Sequence, residues 1–362
     1  LFCVVVGSAE PDPGTPPHWS YQPLGVVVPP EVSGTSAVAN PIDRFVLSRL
    51  AKLSIKAAPS ADRATLIRRV TLDLTGLLPE PTEVARFVAD RRGGAWERVV
   101  DRLLGSPHYG EHFAREWMDL THYADSDGYL TDQLRPVAWR YRQWLVEQLN
   151  ADTPFDVLTT RQLAGDLIPR ATLEDRLGTG FLRQTLSNRE GGADPEEFRV
   201  KQIIDRTEMV SAAWLGLTVG CARCHDHKFD PVSTRDYYAL AGVFQSTRTM
   251  ENFTKVARWH ENSIATDADK QRVETHKKQV AGKKSEIEEL VEAARKVFGL
   301  KAPGSDSNTK NPDEIEKQFP AETREALTRL RSELETLRNA TPQLPTAMGV
   351  VDGTVANMAV HI

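Results

Sequence analysis

Cysteine is scarce in this sequence: three residues in 362, one of which, Cys3, falls among the first few. A fold held together by scattered disulfides is therefore excluded. Long apolar runs are missing too, since the stretch Leu1 to Val6 is far below the ~20 residues that cross a bilayer. There is no excess of positive charge. Lys and Arg number 45 against 50 Asp and Glu, for a net charge of -5, so no basic field collects phosphate backbones and nucleic acid is not an expected partner. With 40% hydrophobic residues the chain is neither disordered nor fibrous, and all seven Trp precede residue 260, which places the aromatic core in the first two-thirds.

What is present begins with Leu1 to Val6, the small residues Gly7 and Ala9, and the breaker Glu10-Pro11-Asp12-Pro13. This order reads as the remnant of a secretory signal over 1–9, followed by an extended Pro-rich lead-in over 10–39. A buried N-terminal strand is the other reading of so short a run. The expected location is outside the cytoplasm, periplasmic or at the cell surface. Cys3 is not preceded by the small residue a lipoprotein signal requires and goes with the leader.

From about 40 to 250 the pattern is helical, and the fold class expected is mainly α. Asn40 caps a helix whose first residue is Pro41, with Ile42, Phe45, Val46, Arg49 and Leu50 on one stripe. Further helices are expected over 65–74, 82–88, 96–104, 108–123, 139–149 and 155–163. The clearest spans 195–217: Asp194 is its N-cap, Pro195 its first residue, Glu197 completes a capping box, and Val200, Ile203, Ile204, Thr207 and Trp214 form the stripe. Across 261–340 the composition changes to 15 Lys or Arg and 16 Asp or Glu. Leucines at 327, 330, 334 and 337 face a stretch with Val273, Val280, Ile287, Val291 and Phe298, and Gly304 to Asn311 separates the two. An antiparallel, coiled-coil-like helical hairpin is expected there. Val-rich alternation over 341–362 reads as a short β segment that opens a truncated C-terminal domain.

The two remaining cysteines share one motif, Cys221-Ala222-Arg223-Cys224-His225, followed by Asp226-His227-Lys228-Phe229-Asp230-Pro231. C-x-x-C-H puts two thiols on one turn, where both reach the vinyl groups of a haem, and presents the next imidazole to the iron. Haem c, with thioethers at Cys221 and Cys224 and His225 as proximal ligand, is the favoured reading. A plain disulfide or redox dithiol is one alternative. A structural Zn or Fe ion on Cys221, Cys224, His225 and His227 is the other. For the sixth iron position the sequence offers Met118, Met209, Met250, His122 and His227. His227 is too near the proximal residue to reach the opposite face of a ring, so a distant Met or His, or an open position, is expected.

Several long stretches carry a resemblance: His18-Trp19-Ser20-Tyr21-Gln22-Pro23, Asn40-Pro41-Ile42-Asp43-Arg44-Phe45, Arg68 to Leu77, Tyr123 to Tyr129, Asn188-Arg189-Glu190-Gly191-Gly192, Asp194 to Arg199 and Gly220 to Pro231. Together they resemble the exported planctomycete cytochrome-c-like domain of unknown function that usually precedes a second, C-terminal planctomycete domain. The resemblance covers about 18–250. It implies a haem-binding unit for electron transfer or redox sensing, with a redox partner or a fused C-terminal domain.

A second constellation is acidic. Asp119, His122, Asp125 and Asp127 lie close together, and Asn188, Arg189, Glu190 and Asp194 flank Gly191-Gly192. Asp125, Asp127 and Glu190 are the catalytic candidates of the competing reading, a carbohydrate-active or other hydrolase with a polysaccharide-related substrate. Caps and turn carboxylates beside arginines are the structural alternative. Residues 188–194 stand roughly 35 Å of helical rise from the cysteines if the helix over 195–217 is straight. Asp125 and Asp127 are expected to approach Arg223, His227 or Lys228 and orient the motif, because buried carboxylates seek cationic partners.

Overall fold

The computed structural model describes residues 19–32, 38–128, 132–186, 188, 194–252, 258–297 and 316–353. The protein is mainly α, with twelve α-helices and six short strands among the described residues. The leader over 1–9, the break over 304–311 and Phe298 lie outside them.

Helix α1 (Pro41–Lys52) starts as expected, with Asn40 accepting from the Asp43 N–H and Asp43 returning the bond as a capping box. Its stripe is not buried, however: α1 has no buried residue, and Ile42 is 71% exposed. Amphipathic spacing sets which side of a helix is apolar, but burial needs a partner surface, and the described residues supply none to this side.

Helices α2 (Arg63–Thr75), α3 (Pro81–Ala89) and α4 (Ala95–Leu104) form a small cluster around Ile67, Phe87, Val99 and Leu103. Arg63 closes it by donating to the Phe87 and Asp90 carbonyls and lying 3.9 Å from the Phe87 ring centroid. Gly76 ends α2 in the left-handed conformation, φ 69°, where the His112 ring leaves no room for a Cβ.

The main core is built by α5 (Pro107–Leu120), α6 (Trp139–Asn150), α7 (Phe155–Ala164), α8 (Leu173–Gly178), α9 (Pro195–Val210) and α10 (Thr234–Val243). Tyr141, Trp144, Leu145, Phe181, Met209 and Tyr237 are sealed within it. Three of its aromatic polar tips are paired: the Trp117 indole N–H (2.9 Å) and the Tyr141 hydroxyl (2.8 Å) both donate to Gln162 Oε1, and the Trp214 N–H donates to Thr159 Oγ1. Helices α5 and α6 approach closely at Gly110, whose N–H donates to Asn150 Oδ1 at 2.8 Å.

Helix α9 is shorter than its apolar spacing suggests. It is capped by Asp194, which accepts from the N–H groups of Glu196 and Glu197, while the Glu197 side chain pairs with Lys201 instead of closing a capping box. Its buried side is Phe198, Gln202, Ile203, Arg206, Thr207, Met209 and Val210, and Val200 faces solvent. After Val210 a single π-helical turn, Ser211–Leu215, leads to Gly216 at φ 63°, and the chain reverses.

Past α10, β1 (Thr247–Arg248), β2 (Met250–Asn252), β3 (Arg258–Trp259) and β4 (Glu261–Ser263) precede α11 (Asp267–Val297). The hairpin of α11 and α12 (Ala321–Asn339) is antiparallel: Leu327 packs in one cluster with Ala294 and Phe319, and Lys283 bonds Glu333 one end further on. Leu327, Leu330 and Leu334 are buried. The chain then returns to the body through β5 (Thr346–Met348), antiparallel to β4, and β6 (Val351–Asp352), antiparallel to β1. Val350 joins the main core and donates its N–H to Thr179 Oγ1, so the described part of 341–362 is continuous with that core. Residues 354–362 are outside the described set.

A Cβ at Gly110 would sit 2.5 Å from the Val146 carbonyl oxygen and 2.7 Å from the Asn150 amide. Gly110→Ala is therefore expected to destabilise the protein by about 1–3 kcal/mol through overpacking. Urea denaturation checks this, and an unchanged midpoint would refute the close helix approach.

Candidate functional site

The cysteines sit on a one-turn 3-10 segment, Val219–Arg223, that folds back against the end of α9 and packs on α10. Val219 and Ala222 anchor the turn in the core, while Cys221 and Cys224 are exposed on its outer side and not joined in a disulfide. The fold-back brings Gly220 against Glu208: a Cβ there would lie 2.9 Å from Glu208 Oε1. Cys224 N–H reaches the Cys221 carbonyl at 3.5 Å, and the Tyr238 hydroxyl donates to the Arg223 carbonyl at 3.1 Å. The Arg223 guanidinium bonds the Cys224 side chain, which with the nearby Tyr237 and Glu208 holds its pKa above the ordinary value.

His225 is exposed and its Nδ1 lies 2.8 Å from the Asp226 carbonyl. A carbonyl only accepts, so Nδ1 carries the proton and Nε2 keeps its lone pair for a metal. His227 has the opposite disposition. Its side chain is 7% exposed, and Nδ1 accepts the N–H groups of Phe229 (3.3 Å) and Asp230 (2.8 Å), shaping the turn that follows the motif. Asp226 caps α10 by accepting the Thr234 N–H, and the Tyr21 hydroxyl of the lead-in donates to Asp230. Among the described residues no three His, Cys, Asp or Glu side chains converge as on a metal ion. Cys221, Cys224, His225 and His227 accordingly do not form a ready-made tetrahedral cage.

A carboxylate pair that the sequence pattern did not single out borders the motif. Asp205 and Glu208 lie three residues apart on α9. Asp205 Oδ1 is 3.2 Å from His122 Nδ1, a contact that raises the His122 pKa with help from Glu208. Glu208 also faces Arg223 and Tyr237, whose buried hydroxyl is pushed well above the usual range, first by burial and then by that carboxylate. The i, i+3 spacing of two acids just before a motif carrying Arg223 was the available signal.

The expected approach of Asp125 and Asp127 to Arg223, His227 or Lys228 does not occur. Asp125 accepts from the Tyr123 hydroxyl (2.6 Å) and Arg142 (3.2 Å) at the surface. Asp127 is buried and accepts from Arg135 Nε at 2.7 Å, while Arg135 also donates to the Gln184 and Thr185 carbonyls. Each carboxylate finds a cation nearer in sequence, on the turn and helix that follow it. Asp127 is thus a structural anion and not part of an open cleft. Glu190, with Arg189, Gly191 and Gly192, lies outside the described residues.

Residues 41–249 match a family model described as PSCyt2, a protein of unknown function (DUF1549). No curated protein and no solved structure matches the chain.

Because the Asp127–Arg135 pair is buried, Arg135→Met is expected to cost about 3–5 kcal/mol by leaving the Asp127 charge without its guanidinium. The double variant Asp127→Leu, Arg135→Met should recover much of that loss. Chemical denaturation of the three proteins decides the matter, and a double variant no better than the single one would show that the charge is not the cause.

Proposed function

The chain belongs to this family of proteins of unknown function, and from that membership and the geometry of the Cys221 to His225 turn we propose that it is an exported c-type haem-binding unit. The observation that carries the reading is the division of the turn into a buried base and an exposed tip. Val219 and Ala222 fix the backbone, so that two thiols stand open to solvent one turn apart, followed by an imidazole whose Nδ1 is already tied to the Asp226 carbonyl. This donor set fits covalent attachment at Cys221 and Cys224 and axial ligation by His225 Nε2. Exposed apolar side chains on the adjoining segments, Leu215, Phe229 and Val243, add the kind of surface a porphyrin ring covers.

A bound haem would supply one-electron chemistry at a potential tuned by its axial ligands and surroundings. The residues of the chain do the rest. Arg223 places its guanidinium against the Cys224 side chain. Asp226 holds the start of α10 against the motif, and the buried aromatic core behind the turn keeps both thiols in register. Electron transfer or redox sensing next to a partner domain is the role this arrangement suits. Among the described residues no helix is long and apolar enough to cross a membrane.

Production in an oxidising compartment with haem-attachment factors is the test. The protein is expected to keep its colour through acid–acetone extraction and to give a c-type pyridine haemochrome, and Cys221→Ser with Cys224→Ser should abolish both. A colourless product whose thiols form a disulfide or hold stoichiometric zinc would overturn the reading.

A further inference from the structure

We propose that His122 is the second axial ligand of the iron in a haem carried by Cys221, Cys224 and His225, an assignment that rests on the haem reading above. A sixth ligand needs an imidazole nitrogen or thioether sulfur with an accessible lone pair, close to the motif. Met209 and Met250 are sealed in the core at 1% exposure, and Met118 packs against it. His227 is turned inward with Nδ1 committed to two backbone N–H groups. His260 is engaged at both nitrogens, by Glu251 and Asn262, and His108 pairs with Glu111 in the first turn of α5.

His108 shares with His122 an exposed imidazole held at Nδ1 by a carboxylate, but it sits at the opposite end of α5, and it is His122 that meets α9 beside the cysteine turn. It lies just past the C-terminal end of α5, its side chain is 57% exposed, and Asp205 holds Nδ1 at 3.2 Å, which leaves Nε2 pointing away from that contact as the ligating atom. Carboxylate-held imidazoles are the usual way a protein fixes the orientation of a metal-binding histidine. One turn further along α9, Glu208 attracts both His122 and Arg223 and touches the position of Gly220, next to Cys221. The last turns of α9 therefore hold His122 with one carboxylate and border the cysteine turn with the next. The backbone of His122, φ 56°, is the left-handed residue of the turn that ends α5, in which the Tyr123 N–H donates to the Met118 carbonyl at 3.1 Å and the His122 N–H to the Asp119 carbonyl at 3.3 Å, so the helix terminus itself fixes where the imidazole starts.

The positive φ makes His122→Gly a suitable variant, since glycine takes this conformation without strain. The haem-loaded wild type is expected to be low-spin by absorption and electron paramagnetic resonance. The glycine variant should retain covalent haem by pyridine haemochrome, become high-spin, and return to low-spin on addition of imidazole, while His227→Ala and Met118→Leu stay low-spin. Asp205→Ala should give a mixture of spin states. Circular dichroism of the apoprotein checks folding, and if His122→Gly folds poorly, His122→Met decides, because sulfur ligation introduces a charge-transfer band at the red end of the spectrum. A haem-loaded His122→Gly that remains low-spin, a high-spin wild type, or a His122→Met protein without the new band overturns the assignment and leaves the haem reading intact. A wild type without covalent haem overturns both.

Discussion

A buried guanidinium organises the molecule. Arg206 lies in the middle of α9 with its side chain sealed from solvent, and burial pushes its pKa down to about 10, still far enough above neutrality to keep the charge. Such a group is tolerated only where its donors are met. Arg206 donates to the Leu182 carbonyl at 3.0 Å, to Gln202 and to Thr249 Oγ1, and Thr249 in turn donates to Gln202 at 2.7 Å. One side chain thus ties the helix that leads to the cysteines to the segment after α8 and to the first strands. In a neighbouring layer two guanidinium groups lie against one ring instead: Arg183 is 3.1 Å from the Trp259 ring centroid and Arg135 5.6 Å from it. The position of the thiols is therefore set by polar contacts deep in the core as much as by apolar packing.

The charges around the motif are arranged on the same helix. The inner side of α9 carries Arg206, and the side toward α5 and the cysteine turn carries Asp205 and Glu208. The two carboxylates give His122 and Arg223 their anionic partners, and Asp205 also attracts the buried Arg206 cation. Asp127 belongs to the buried system, with Arg135, and Asp125 to a surface cluster with Tyr123 and Arg142. The acidic residues that looked like one constellation in sequence are divided by burial into separate electrostatic environments.

Much of the fold was legible because its signals are local. Asn40 and Asp194, read as caps from the sequence, cap the helices that follow them, and Asp62, Ser106, Thr172 and Ser233 do the same elsewhere; such local signals place helix starts well, whereas α9 ends at Val210, short of the expected 217. The leucine spacing over 327–334 gave the hairpin for the same reason. Partner choice is not local. Nothing in the spacing of Ile42, Phe45 and Val46 says whether a surface exists to cover them, and nothing near Asp127 says that Arg135 will return within eight residues to neutralise it. The cysteine motif was readable as chemistry, but its immediate electrostatic partners, Asp205 and Glu208, were hidden in a helix read for its apolar stripe. The strand pairings of residues 346–352 with 247–263 depend on contacts across a whole hairpin, which short-range periodicity cannot register.

The single π-helical turn at Ser211–Leu215 makes the cysteine turn's placement sensitive to chain length at this point. One extra residue in that turn rotates everything downstream by about 100° relative to a regular helix. Gly216 then reverses the chain from that rotated starting point, and the cysteine turn lands on α9 with Gly220 against Glu208. Loss of one residue here would restore regular helical geometry locally and aim the thiols at a different face of the molecule, even though every motif residue was retained. Insertions and deletions between 211 and 216 should therefore be rarer among functional descendants of this sequence than substitutions at the same sites.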